Sequence, residues 1–138
     1  MLHLPKRRPK RFALLGLAVF FFVAGANHFL NPGFYVGIMP LYLPAHLGFV
    51  YVSGLLEILG GVAVLSPALR TSAGWGLIIL LIAIFPANLH MALHPESFPD
   101  LSSFALYSRL PVQALFIAWA YWATRPDSSP SIKPAAPA

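Results

Sequence analysis

Four apolar stretches, residues 12–30, 46–65, 72–93 and 104–123, decide what this chain can fold into, because only Glu57 and Arg109 carry charge well inside them. At ~1.5 Å rise per residue, each stretch is long enough as a helix to cross a hydrocarbon core ~30 Å thick. Together they occupy most of the 138 residues, so little length remains for a separate catalytic domain. Only 9% of the residues are charged and 58% are hydrophobic, whereas about 25% of an ordinary soluble domain is charged. The expected fold is an all-α membrane protein: a four-transmembrane-helix antiparallel bundle with an interfacial loop or short helix between the first two spans. A basic N-terminus over 1–11 and a flexible tail over 125–138 flank a bundle over 12–124.

The net charge of +5 is placed for a membrane and not for nucleic acid. Lys6, Arg7, Arg8, Lys10 and Arg11 precede the first span, Arg70 lies between the second and third, and Arg125 and Lys133 follow the fourth. Segments 31–45 and 94–103 contain no Lys or Arg. The positive-inside rule therefore puts both termini on the cytoplasmic side, expected to be that of a bacterial inner membrane, with the two longer loops outside. The basic segment also suits contact with anionic headgroups. Ala24-Gly25-Ala26 has the form of a signal-peptidase site, but the apolar run before it is long for a signal peptide, so a retained span is expected. The chain has no cysteine, which excludes disulfides, thiol redox chemistry and thiolate metal sites within it.

The first outer loop contains Pro32, Gly33, Gly37, Pro40 and Pro44 among apolar and aromatic residues. This suits a short interfacial element with Tyr35 and Tyr42 at headgroup level better than a long straight helix. The second span carries Ser53, Gly54, Gly60 and Gly61 around Glu57, a pattern that permits close helix approach. The third carries Pro86, which frees a carbonyl one turn earlier and predicts a kink, with Asn88 nearby as a hydrogen-bonding partner. One kinked span, without the paired broken helices typical of transporters, argues against alternating access.

Burying an unpaired charge in hydrocarbon costs at least ~2.5–3.5 kcal/mol, so Glu57 and Arg109 are expected to face the bundle interior. Either they neutralise one another as a clasp between helices, or they form the polar heart of a site. Asn27, His28, Asn88 and His90 fall near the outer ends of their spans, with Arg109 about 8 Å inside. Glu57 lies near the midplane, roughly 16 Å from the outer end, with Gln113 at a similar level. Asn27 and Asn88 are equally suited to join the first and third spans by amide hydrogen bonds. Carboxyl, guanidinium, amides and imidazole suit a carbonyl-bearing amphiphile such as a quinone, with Glu57 or His28 handling the accompanying proton. Phe20, Phe21, Phe22, Phe85, Phe116 and Trp119 can pack a ring or an isoprenoid chain, or serve simply as core and lipid-facing residues. His90 and His94 have metal-chelating spacing on a helix but no evident third ligand, so no metal centre is expected.

Several segments together resemble the DoxX-like membrane protein family. They are Asn27-His28-Phe29-Leu30-Asn31-Pro32, Ser53-Gly54-Leu55-Leu56-Glu57-Ile58-Leu59-Gly60-Gly61, Pro67-Ala68-Leu69-Arg70, Ala73-Gly74-Trp75-Gly76-Leu77 and Phe85-Pro86-Ala87-Asn88, with the proline-rich loop between the first two. The resemblance implies a four-helix membrane protein associated with redox enzymes, and matches His28, Pro32, Glu57, Asn88 and Arg109 to that family's recurrent polar positions. The resulting expectation is a small membrane subunit of a redox system. Glu57 and Arg109 are its candidate catalytic residues, and Asn27, His28, Asn88 and Gln113 its ligand-binding residues. A quinone is the candidate cofactor, although no motif encodes one, and electrons would have to come from a bound cofactor or a second protein. Expected partners are the lipid bilayer and other membrane or redox proteins, with homo-oligomers compatible. The alternative is a non-catalytic accessory subunit of a larger respiratory or photosynthetic complex.

Overall fold

The computed structural model describes residues 4–5, 7–40 and 42–126. These form α1 (Arg8–Leu30), α2 (Pro32–Gly37), α3 (His46–Ala63), α4 (Arg70–Leu93), a 3-10 turn (Pro95–Ser97) and α5 (Ser103–Thr124), with no strand among the described residues. Lys6, Lys133 and residues 127–138 of the expected tail lie outside the described residues.

Local chemistry sets the helix ends. Pro9 sits in the first turn of α1, where its missing N–H would have had no helical partner. The helix therefore starts inside the basic segment, four residues ahead of the expected apolar span at Phe12. Asn31, held in non-helical geometry before Pro32, ends α1, and Pro32 then opens α2. The chain turns into α3 at Ala45, a non-glycine residue in the left-handed region (φ 52°). Ser102 caps α5, its hydroxyl accepting from the Ala105 amide at 3.2 Å. Arg70 Nε donates to the Val64 carbonyl at 3.0 Å, so the first residue of α4 satisfies the end of α3.

The four long helices form a ring in which α1 packs on α3, α3 on α4, α4 on α5 and α5 on α1. Every adjacent pair is antiparallel: Gly25 meets Gly54 and Ile58 while Gly61 meets Ala18 and Phe22, and Gly74 meets Thr124 while Asn88 reaches Gln113. Helices α5 and α1 meet through their inner halves, where Trp119 Nε1 donates to the Ala13 carbonyl at 3.0 Å and Phe116 stacks on Phe20 at 4.4 Å. Leu14, Leu17, Phe21, Leu77, Leu81 and Ala120 fill the core.

Three helices, α1, α3 and α4, are long and apolar enough to cross a membrane. The fourth long helix, α5, coincides with the expected span over 104–123 but carries Arg109, Gln113 and an internal proline, Pro111. Two adjacent helices therefore hold interior prolines, Pro86 in α4 and Pro111 in α5, where the sequence reading expected a single kinked span. Each removes one helical N–H donor from the half of the hairpin nearer the α4–α5 connection.

Candidate functional site

Glycines place the polar cluster. A Cβ on Gly54 would lie 2.6 Å from His28 Cβ, and one on Gly25 would lie 2.5 Å from the Gly54 carbonyl. Bare backbone at these two positions lets α1 and α3 approach closely enough to bring His28 over the turn of α3 that bears Glu57. His28 Nδ1 lies 3.5 Å from Glu57 Oε2 and 2.9 Å from the Ala24 carbonyl. Glu57 is 5% exposed, and its Oε2 is fully buried without a hydrogen bond. An ionisable group in that position is costly to keep, which makes Glu57 the leading candidate for a functional residue.

Above His28, α2 folds back so that the Tyr35 ring stacks on the imidazole at 3.7 Å, with 20° between the planes. Asn27 Nδ2 donates to the Tyr35 hydroxyl at 2.8 Å, and Asn31 Nδ2 donates to Asn27 Oδ1 at 2.6 Å. Tyr35 of the expected short element between the first two spans therefore covers His28, the neighbour of Glu57. Its i+7 distance from His28 across a helix break carried no periodic signal of this contact.

The expected Glu57–Arg109 pair does not form; Glu57 has His28 as its neighbour. Nor do Asn27 and Asn88 bond to each other: Asn27 holds Tyr35, and Asn88 Nδ2 donates to Gln113 Oε1 at 3.0 Å. Both corrections have one cause. Glu57 and Arg109 stand on α3 and α5, and Asn27 and Asn88 on α1 and α4; each pair lies diagonally across the ring and not on adjacent helices. Gln113 also donates from Nε2 to the Leu81 carbonyl, one residue before the Ile82 carbonyl that Pro86 leaves without its helical donor. Gln113, not Asn88, thus serves the backbone one turn before Pro86. Arg109 is half-buried, and its Nε is enclosed without a hydrogen-bond partner.

A concavity of about 370 Å³ opens on the C-terminal half of α1, lined by Val19, Phe20, Val23, Ala24 and Asn27. Its lower wall is Phe20, braced by Phe116. Ala24, also in the lining, accepts from His28 at its carbonyl. Asn27 is the one polar residue in the lining. At the outer end of α4 the His90 and His94 rings lie 4.5 Å apart, but His94 Nδ1 is bonded to the His90 carbonyl at 3.0 Å. No group of three or more metal-ligating side chains occurs among the described residues.

Residues 17–124, which include every residue of this cluster, match the family model described as Domain of unknown function (DUF8561). The chain belongs to that family. The match runs from the middle of α1 to the end of α5, so the family domain comprises the whole helical ring and leaves out the basic start of α1. No curated protein and no solved structure matches the chain.

Proposed function

We propose that the chain is a four-span protein of a bacterial inner membrane, with both termini cytoplasmic, that binds a quinone-like amphiphile in its outer half. The reading rests on one observation: an apolar concavity ends at Asn27, the neighbour of a buried imidazole–carboxyl pair, His28 and Glu57. In this arrangement the chain of the amphiphile lies over Val19, Val23 and Ala24, and its headgroup oxygen accepts from Asn27. His28 and Glu57 then hold or release the proton that accompanies a change of redox state. The electrons come from a partner protein, since the chain carries no cofactor motif. The association with a redox system is proposed on the DoxX-like segments of the sequence.

Helix α5 supports the fourth crossing. From Phe104 to Trp122 every exposed residue on it is apolar or aromatic, while Gln113 is 4% exposed and turned into the ring. At the opposite end from the cluster, the Arg125 guanidinium lies 4.5 Å from the Trp75 ring and 4.4 Å from the Tyr121 ring. Such a set of aromatics and a cation suits the inner membrane interface.

Native mass spectrometry of the gently solubilised protein tests the reading. A quinone or similar amphiphile should be released on unfolding from the unaltered protein, and be absent from folded Asn27→Leu and Glu57→Gln. Retention by both variants would sink the site. An empty bundle that copurifies with a stoichiometric large partner would instead favour an accessory subunit.

A further inference from the structure

With Glu57, Arg109 is one of the two charged residues well inside the four apolar stretches, and it has no counter-ion among the described residues. Among the described residues it makes no hydrogen bond, ion pair or ring contact, and its Nε is buried. The acidic residues of the chain are Glu57, Glu96, Asp100 and Asp127. Glu57 lies beside His28 across the ring, Glu96 and Asp100 are exposed in the segment before α5, and Asp127 follows the opposite end of α5, outside the described residues. A guanidinium within an apolar bundle is expensive without an anion, and cannot shed its proton to escape the cost. Among the described residues no side chain supplies that anion, which leaves the position open to an acidic ligand.

The position of Arg109 narrows what that anion is. It lies six residues into α5, about 9 Å along the helix from Ser103, within reach of the headgroup layer for a side chain that snorkels outward. It is also seven residues before Phe116, so it shares the helix face that packs on α1 through Phe20. Across from it, Asn27 stands seven residues beyond Phe20 on α1. An acidic headgroup at this level has the planar guanidinium fork on one side and apolar helix surface below for its chain.

We propose that Arg109 is the headgroup site for an acidic amphiphile, its guanidinium holding a carboxylate or phosphate oxygen. The proposal rests on the membrane reading above but not on the quinone-like ligand. It is tested on the delipidated full-length protein in neutral detergent, following thermal unfolding during titration with oleate, dioleoylphosphatidylglycerol or the neutral monoolein. Expected is a saturable rise in Tm with an acidic probe and none with monoolein. A response to oleate alone assigns a carboxylate ligand, and a response to the phosphatidylglycerol assigns a lipid phosphodiester. Arg109→Gln should weaken the acidic response by about tenfold or more, the loss of one charge-assisted contact.

An equal response to monoolein, or full acid preference in Arg109→Gln, overturns the proposal. Should Arg109→Gln fail to fold, Arg109→Lys decides: it keeps the charge but loses the fork, so unchanged affinity also overturns it. Combined Arg7→Gln, Arg8→Gln and Arg11→Gln must leave the acidic response in place; its loss there would assign the effect to the basic segment. Acid preference without any copurifying quinone would remove the quinone reading and leave this one standing.

Discussion

Gly54 shows how a missing side chain creates the site. Its absent Cβ is the space His28 occupies, and the adjacent Gly25 contact is backbone against backbone, so neither side can yield by rotating a side chain. Gly54→Ala is expected to cost about 1–3 kcal/mol by forcing α1 and α3 apart, and to weaken amphiphile binding with it. Gly48→Ala lies on the same helix with nothing within 4 Å of the new methyl group, and should be neutral or stabilising by up to about 1 kcal/mol. Thermal unfolding of the two variants in detergent checks the contrast, and equal losses would show that the close approach is not what matters. At this scale the sequence was partly readable. The isolation of Glu57 among apolar residues gave its burial, and the surrounding glycines gave close packing. Its neighbour was not readable, because which helix Glu57 faces depends on the order of helices around the ring, and that order leaves no mark in one sequence.

Among the elements, the α4–α5 hairpin carries both interior prolines and is joined close to them by Gln113. This side chain accepts from Asn88 and donates to the Leu81 carbonyl, joining the two helices at the depth where their own ladders are interrupted. Gln113→Leu keeps the volume but leaves the part-buried Asn88 amide without its acceptor. A loss of about 1–2 kcal/mol is expected, since interhelical hydrogen bonds in membrane bundles rarely exceed that. Unfolding in detergent measures it, and an unchanged midpoint would mean that the prolines need no such support. The helix spans themselves were legible from unbroken apolar runs, and three of the four long helices begin within two residues of the expected start. The second proline was equally visible at position 111, but the apolar length of 104–123 masked it. The fold-back of α2 that brings Tyr35 onto His28 was not legible, because proline and glycine announce a break without giving its direction.

For the whole molecule, the open question of number has a sharp consequence: three crossings or four put the end of the chain on opposite sides. The three helices that satisfy length and hydropathy are α1, α3 and α4; α5 falls short because of Arg109 and its other polar residues. Averaged hydropathy ignores direction, however. In the ring, Gln113 points inward, while Phe104 is 83% exposed and Leu115 68% exposed on the outward face. Leaving that face in water would expose a long apolar stripe, and in a crossing helix Arg109, about 9 Å from Ser103, is within snorkelling reach of the interface. The outward apolar face and the inward Gln113 support the proposed fourth crossing, and the side on which the chain ends tests it. Because the chain has no cysteine, single cysteines can be introduced into the native background and labelled with a membrane-impermeant maleimide on spheroplasts. Ser97→Cys, in the turn before α5, should label in intact spheroplasts. Ala68→Cys, between α3 and α4, and Pro126→Cys, after α5, should label only after permeabilisation. All three positions are exposed, so access to the reagent depends on the side of the membrane. Labelling of Pro126→Cys together with Ser97→Cys in intact spheroplasts would mean that α5 lies on the outer surface, and would take Gln113 and Arg109 out of the membrane with it.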